Sequence, residues 1–199
     1  QNVALPASAT SDLYDLDGVK SLQYRENYTK ADATIDGIFL LANSVWACVD
    51  GGTDAEVAAV LLANKSLGAN WNGAVTVNLP HPATGQSYPV KFDRPASVAI
   101  AARLTVRKGS ALGDIPQTVR QAVLDYAAGL LEGEPGFTVG SNVSAFELGG
   151  AVNREAPGVY VQKCEISLAS VISWTTDEIA IALNQKATIL AGDVTVVVL

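Results

Sequence analysis

The chain contains no methionine, a single histidine and only two cysteines among its 199 residues. Two cysteines are too few for a disulfide scaffold, and one histidine cannot form a histidine-based metal cluster. We expect Cys48 and Cys164 to be buried free thiols because both lie in strand-like apolar runs, while a mutual disulfide stays open. The missing methionine suggests that the sequence is a piece of a longer protein.

Basic residues and long apolar runs are also scarce. The 13 Lys and Arg side chains stand singly against 20 Asp and Glu, which gives a net charge of −7. Binding to a phosphate backbone needs a basic patch, so the composition argues against nucleic acid as a main partner. No apolar run approaches the roughly 20 residues of a membrane-spanning helix, and no secretory signal pattern opens the sequence. We therefore predict neither a nucleic-acid partner nor a membrane span.

The spacing of apolar residues predicts an α+β protein of two small modules, each a mixed or antiparallel sheet with helices packed on one face. The boundary is placed at Arg94-Pro95, so the modules comprise residues 1–94 and 95–199. A chain of this length is large enough to bury a sizeable core.

The first module is predicted to run from a strand through a long loop to a second strand, a Gly-Gly turn, a helix and a hairpin. Thr53 and Glu56 have the spacing of a capping box, which fixes the start of the helix. A short helix over 11–16 is predicted before the first strand. The predicted strands cover 19–26 and 44–49, the long loop 27–43, and the hairpin 74–92.

The second module is predicted to contain a strand, two helices and three further strands. Residues 97–107 alternate, with Val98, Ile100, Ala102, Leu104 and Val106 on one face. Asp114 caps the first helix, and Ser141 or Ser144 starts the second. The three remaining strands are predicted over 159–168, 178–183 and 193–199.

Several short motifs follow one another in a fixed order. They are Glu26-Asn27-Tyr28-Thr29, Gly51-Gly52, Lys65-Ser66-Leu67-Gly68, Asn72-Gly73 and Phe92-Asp93-Arg94-Pro95. In this order they resemble the baseplate J-like protein family of contractile phage tails, and the resemblance covers all but the first dozen or so residues. The upstream portion typical of that family is absent, so the chain resembles its central and C-terminal part.

The resemblance implies a structural role in the tail baseplate, in the wedges that surround the central hub. It implies a virion protein, made in the bacterial host cytoplasm, that forms a homo-oligomeric ring with wedge and hub proteins as neighbours. Tail sheath and tail fibre proteins are further candidate partners. It implies no catalytic, cofactor-binding or metal-binding residues, and we predict that the chain is not an enzyme.

Four other sequence features could indicate a catalytic or ligand-binding site, but each has a simpler structural explanation. His81 stands in a Pro-rich turn, where a solvated side chain is expected. The turn at Asp50–Thr53 could bind an anion at the helix start, but its own carboxylates oppose this. The acidic run at 12–17 lacks the spacing of an EF-hand. Glu132 and Glu134 could act as paired acids only if the fold brought a cleft to them.

Trp71 and Trp174 are the candidate interface residues, because an aromatic side chain in a polar segment is typical of a binding surface. If both were exposed on one surface, the alternative function would be a receptor- or glycan-binding module. A second alternative is a hydrolase that acts through two carboxylates. It predicts a cleft that holds both groups and shifts the pKa of at least one.

Overall fold

The computed structural model describes residues 6–65, 68–80, 83–111 and 113–199. Within these residues, four α-helices and twelve strands in several sheets form an α+β fold, which confirms the predicted class. The chain divides into two compact units. The first is Gln1–Ala96 with Ala182–Asn184, and the second is Ser97–Ile181 with Gln185–Leu199.

The first unit is built around a small mixed sheet with strand order β1-β4-β5. β4 lies antiparallel to β1 and parallel to β5. Two antiparallel hairpins, β2–β3 and β6–β7, complete its strands. The elements are α1 (Pro6–Tyr14), β1 (Ser21–Asn27), β2 (Ala33–Ile35), β3 (Ile38–Leu40), β4 (Ser44–Asp50), α2 (Asp54–Asn64), β5 (Asn70–Asn72), β6 (Val75–Pro80) and β7 (Ser87–Phe92).

β4 forms the centre of the first unit, and every residue from Ser44 to Val49 is buried. The predicted capping box at the start of α2 is confirmed: Thr53 accepts the N–H of Glu56, and the Glu56 carboxylate accepts the N–H of Thr53. The helix buries Val57, Ala58 and Leu61 in the core cluster that also contains Val49 and Phe92.

Three predictions for the first unit were wrong in detail. The segment predicted as a long loop contains the hairpin β2–β3. Its turn is Asp36-Gly37, with φ of 50° and 83°. Positive φ at both central residues defines the tight hairpin turn that Asp-Gly favours. The structure also begins the first helix at Pro6 and places Trp71 in β5 rather than in a loop.

The second unit contains a five-stranded sheet in which β8 is central. β9 pairs antiparallel with β8, and β10 pairs antiparallel with the other edge of β9. β11 and β12 both pair with β8. β12 runs parallel to β8. The elements are β8 (Ala96–Lys108), α3 (Ile115–Ala127), α4 (Ala145–Glu155), β9 (Val159–Leu168), β10 (Val171–Thr175), β11 (Gln185–Thr188), a 3₁₀ turn (Ala191–Asp193) and β12 (Val194–Val198).

The alternation predicted for β8 is confirmed. Ile100, Ala102, Leu104 and Val106 are fully buried in one core cluster with α3 and α4. The side chains between them therefore lie on the opposite face of the sheet. Asp114 and Ser144 cap α3 and α4 as expected, and each accepts the N–H of the residue three positions later.

The prediction of three strands after α4 was right for two of them, since 159–168 is β9 and 193–199 contains β12, and wrong for the third. Residues 178–183 form no strand; Ile179 makes an isolated bridge to Val143, and the Asn142 carboxamide oxygen accepts the N–H of Ile181. A side chain thus satisfies one main-chain N–H that a strand partner would otherwise satisfy. The actual strands include β10 and β11, and four strands follow α4.

Candidate interaction surface

Asn27, from the first motif of the resemblance, closes the segment that carries the β2–β3 hairpin. Its side chain is buried, and its amide nitrogen donates to the carbonyl oxygens of Ala31, Leu40 and Leu41. Its amide oxygen accepts the N–H of Thr29 at 3.0 Å. A buried amide with this many partners fixes the loop and leaves little capacity to bind a ligand.

Arg94 holds the Gly51-Gly52 turn. Its guanidinium donates to the carbonyl oxygens of Val49, Gly51 and Gly52 and pairs with the Asp54 carboxylate at 2.7 Å. Gly51 has φ of 93°, and a Cβ there would lie 1.8 Å from the carbonyl oxygen of Gly18. The turn is therefore a structural joint, which supports the simpler explanation of the Asp50–Thr53 segment over an anion site.

Asp93 links three parts of the first unit. Its carboxylate accepts the indole N–H of Trp46 at 2.6 Å and the backbone N–H of Ala74 at 2.7 Å. Its own backbone N–H donates to the carbonyl oxygen of Ala47. Together with Asn27 and Arg94, this residue shows that side chains of the quoted motifs serve as framework contacts.

Trp71, the first predicted interface residue, is half-buried in β5. The ammonium of Lys65 lies 4.9 Å from its ring centroid, and burial lowers the pKa of this lysine. The neighbouring Asn72 donates to the Ser44 hydroxyl and accepts the N–H of Leu41, which fixes the strand. One face of the indole is thus covered by a cation from the same unit.

Trp174, the second predicted interface residue, lies on the open face of the sheet in the second unit. The pairing of β10 with β9 shifts between Val171 and Thr175, and this irregular segment carries the indole. The guanidinium carbon of Arg103 lies 4.6 Å from the ring centroid. Trp174 is half-buried, so the contact leaves part of its indole in solvent.

Arg103 also binds the Glu165 carboxylate. Its Nε and Nη2 both lie 2.9 Å from Oε2 of Glu165, and the ammonium of Lys163 lies 2.8 Å from Oε1. The Glu165 side chain is only 10% exposed. The hydrogen bond from Lys163, followed by that from Arg103, lowers the pKa of this carboxyl.

A second arginine–aromatic pair continues the same face. Arg107 follows Arg103 by four residues on β8, and its guanidinium carbon lies 5.4 Å from the ring centroid of Tyr160. Tyr160 is 50% exposed. We call this surface the arginine–aromatic face; it consists of Arg103, Arg107, Tyr160, Lys163, Glu165 and Trp174.

The arginine–aromatic face has the composition of a protein-binding surface. Arg, Tyr and Trp are enriched in interfaces and in the residues that dominate binding energy. Three cations and one carboxylate give the face a local charge of +2, whereas the whole chain carries −7. Sequence reasoning singled out Trp174 alone, although the alternation of β8 already put Arg103 and Arg107 on one outward face.

Trp71 belongs to the first unit and Trp174 to the second. Both are half-buried and both are covered on one side by a cation. Their role as interface residues stays a prediction.

A groove of about 500 Å³ lies between α4 and β9 in the second unit. Phe146, 88% exposed, stands at this groove, and Gly149 brings the helix so close that a Cβ there would lie 3.2 Å from that of Cys164. Both cysteines are free; Cys48 is buried as predicted, but Cys164 is only half-buried. Burial raises the pKa of each thiol to about 12, which makes both poor nucleophiles.

A smaller cleft of about 290 Å³ in the second unit is lined by three carboxylates. Each has a side-chain donor: Arg154 for Glu134, Tyr126 for Glu147 and Asn142 for Glu178. Burial, with the nearby Glu147, raises the pKa of Tyr126 to about 12. Because these contacts account for all three acids as structural partners, the cleft does not favour the carboxylate hydrolase.

The remaining sequence candidates are not brought together. His81 lies outside the described residues. Asp12 accepts a hydrogen bond from Asn64, and Glu132 is exposed. In the part of the chain that the structure describes, no three His, Cys, Asp or Glu side chains are grouped as metal ligands. None of its helices there has the length and apolar character needed to cross a membrane.

No model of a known protein family matches the chain, and no curated protein sequence matches it significantly.

Proposed function

We propose that the chain is a structural subunit of the baseplate of a contractile phage or prophage tail. It acts in a wedge or ring through protein–protein interfaces during tail assembly and contraction. The resemblance of the ordered motifs motivates the proposal. The observation that carries it is the arginine–aromatic face, where interface-type side chains stand on an open sheet rather than around a reactive centre.

The framework contacts give further support. Asn27, Asp93 and Arg94 each use their polar atoms to hold loops and turns. A structural subunit needs such rigidity, because its interfaces must keep one arrangement until contraction switches them to another. The proposed partners are other wedge and hub proteins, with sheath or fibre proteins as further candidates, in the virion tail.

The test begins with the neighbouring genes in the source genome. We expect genes for sheath, tube, spike and fibre proteins, and we expect co-expression with their products to yield a complex. Arg107→Glu should weaken that complex at least about tenfold, since it reverses a charge in the face. Arg120→Glu on α3 of the same unit is the matched control and should change binding by no more than about twofold.

Two results would contradict the proposal. One is a neighbourhood of metabolic or secreted-enzyme genes together with no complex. The other is binding of a glycan that Trp174→Ala abolishes, without association with any tail protein. That second result would establish the receptor- or glycan-binding alternative.

A further inference from the structure

The sheet of the second unit ends at β10 on one side of β8 and at β11 and β12 on the other. The β11 edge carries an isolated bridge between Lys186 and Val139. At the β10 edge, pairing with β9 is irregular between Val171 and Thr175, which hinders the addition of a further strand. β12 instead pairs regularly with β8 from Val194 to Val198. Residues 194–199 contain no charged side chain, proline or glycine. β12 therefore lacks the features by which edge strands usually prevent pairing.

The main-chain groups on the outer side of β12 can be assigned from one hydrogen bond. The N–H of Leu199 donates to the carbonyl oxygen of Val106 at 2.9 Å, so the main-chain groups of Leu199 are directed toward β8. Successive residues of a strand direct these groups to opposite sides. Val196 and Val198 therefore direct their N–H and C=O groups outward, where no strand of the described ranges pairs with β12.

We propose that β12 pairs antiparallel with β12 of a second copy, across a two-fold axis at Val197. In this register Val196 lies opposite Val198 of the second copy. By the two-fold symmetry, Val198 lies opposite Val196 of the second copy. Each pair exchanges two N–H···O=C hydrogen bonds, so all the outward groups of both residues are satisfied. Val197 faces its own counterpart, and every one of these cross-strand pairs joins two β-branched side chains.

A second copy fits this edge better than an unrelated strand does. The register uses only groups that β12 itself supplies, and the uncharged segment places no like charges opposite each other. It also offers no charged side chain that would select a different partner. Val197 and Val198 are each 41% exposed, so pairing also removes apolar surface from water. The inference stands independently of the proposed function.

Sedimentation of the intact chain over micromolar to millimolar concentrations tests the pairing. The wild type should shift from 20.7 kDa toward twice that mass as concentration rises. Val197→Lys and Val197→Glu should each stay monomeric, because each places like charges opposite each other at the axis. An equimolar mixture of the two should restore the dimer, and only a contact in which residue 197 meets itself gives that result.

Val198→Pro and Val198→Ala separate the main-chain bonds from the side chain. Proline removes an outward N–H and should weaken the dimer at least about tenfold, while alanine keeps that N–H and should leave it largely intact. Circular dichroism verifies that each variant is folded. The proposal is overturned if the wild type stays monomeric throughout, or if the dimer persists in Val197→Lys and Val198→Pro. It is equally overturned if the mixed charge variants fail to associate.

Discussion

Arg94 in the first unit and Arg103 in the second are both stacked on an aromatic ring, yet their surroundings differ. The guanidinium of Arg94, over Phe92 at 5.1 Å, donates to three main-chain carbonyl oxygens at the end of β4 and in the turn that follows. That of Arg103, over Trp174, donates to a side-chain carboxylate on an open sheet. Arg94 satisfies main-chain carbonyl oxygens in a turn whose conformation the fold fixes. Arg103 instead fixes the positions of side chains on the sheet surface. The same residue type therefore holds a main-chain turn in one unit and orders side chains on the sheet surface in the other.

The largest effect is expected from the turn that Arg94 binds. Gly51→Ala should lower the free energy of unfolding by at least about 4 kcal/mol, because the new Cβ would meet the carbonyl oxygen of Gly18 at 1.8 Å. Gly37→Ala is the control: its φ is also positive, but nothing lies within 4 Å, so about 1–2 kcal/mol is expected. Urea unfolding of both variants measures the difference. Equal losses would show that backbone strain alone, without the close approach, decides the effect.

Replacement of Arg94 itself should have the next largest effect. Arg94→Ala leaves several turn carbonyl oxygens without their donor and should lower the free energy of unfolding by about 2–4 kcal/mol. Arg94→Lys should recover less than half of the loss, since an ammonium cannot reproduce the planar fork. Chemical denaturation gives both values. Full recovery with lysine would mean that charge, and not geometry, holds the turn.

Arg103→Ala should destabilise far less, by no more than about 1 kcal/mol. The stacked pair is partly exposed, and Lys163 still neutralises Glu165. Urea unfolding of Arg103→Ala and Arg94→Ala under the same conditions compares the two losses in free energy of unfolding. If Arg103→Ala lowered the free energy of unfolding as much as Arg94→Ala does, the two arginines would contribute equally to the fold, and the proposed difference between them would be wrong.

The smallest effect concerns pH. The pKa of Glu165 is lowered in the folded state from 4.5, so the ionised carboxylate stabilises the fold above the unfolded pKa. This stabilisation is lost as pH falls through the folded pKa. The difference in unfolding free energy between wild type and Glu165→Gln should therefore be constant above about pH 5 and shrink below about pH 4. Urea titrations across that range provide the check, and a pH-independent difference would contradict the lowered pKa.

Local signals in the sequence were sufficient for the elements with strong periodicity. The alternation in β8 and the caps Thr53, Asp114 and Ser144 each depend on neighbours a few residues away, and these predictions were confirmed. The β2–β3 hairpin was missed although Asp36-Gly37 carries the local signal for it.

Features that depend on distant residues could not be predicted in the same way. Residues 178–183 have a strand-like composition, but Ile179 pairs with Val143 in an isolated bridge and the Asn142 side chain accepts the N–H of Ile181. The arginine–aromatic face forms only because β9 brings Tyr160 beside Arg107 and the irregular β10 places Trp174 over Arg103. Neither contact follows from spacing along the chain.

The parallel pairing of β12 with β8 also determines the order in which the second unit can fold. Val194 pairs with Ala102, a separation of 92 residues, so this side of the central strand stays unpaired until nearly the whole unit has been synthesised. Such distant pairing has a high entropic cost of loop closure and slows folding. During synthesis on the ribosome, this edge of β8 therefore stays unpaired and apolar until β12 emerges. We expect chaperones to bind the nascent chain at Ser97–Val106 rather than in the first unit.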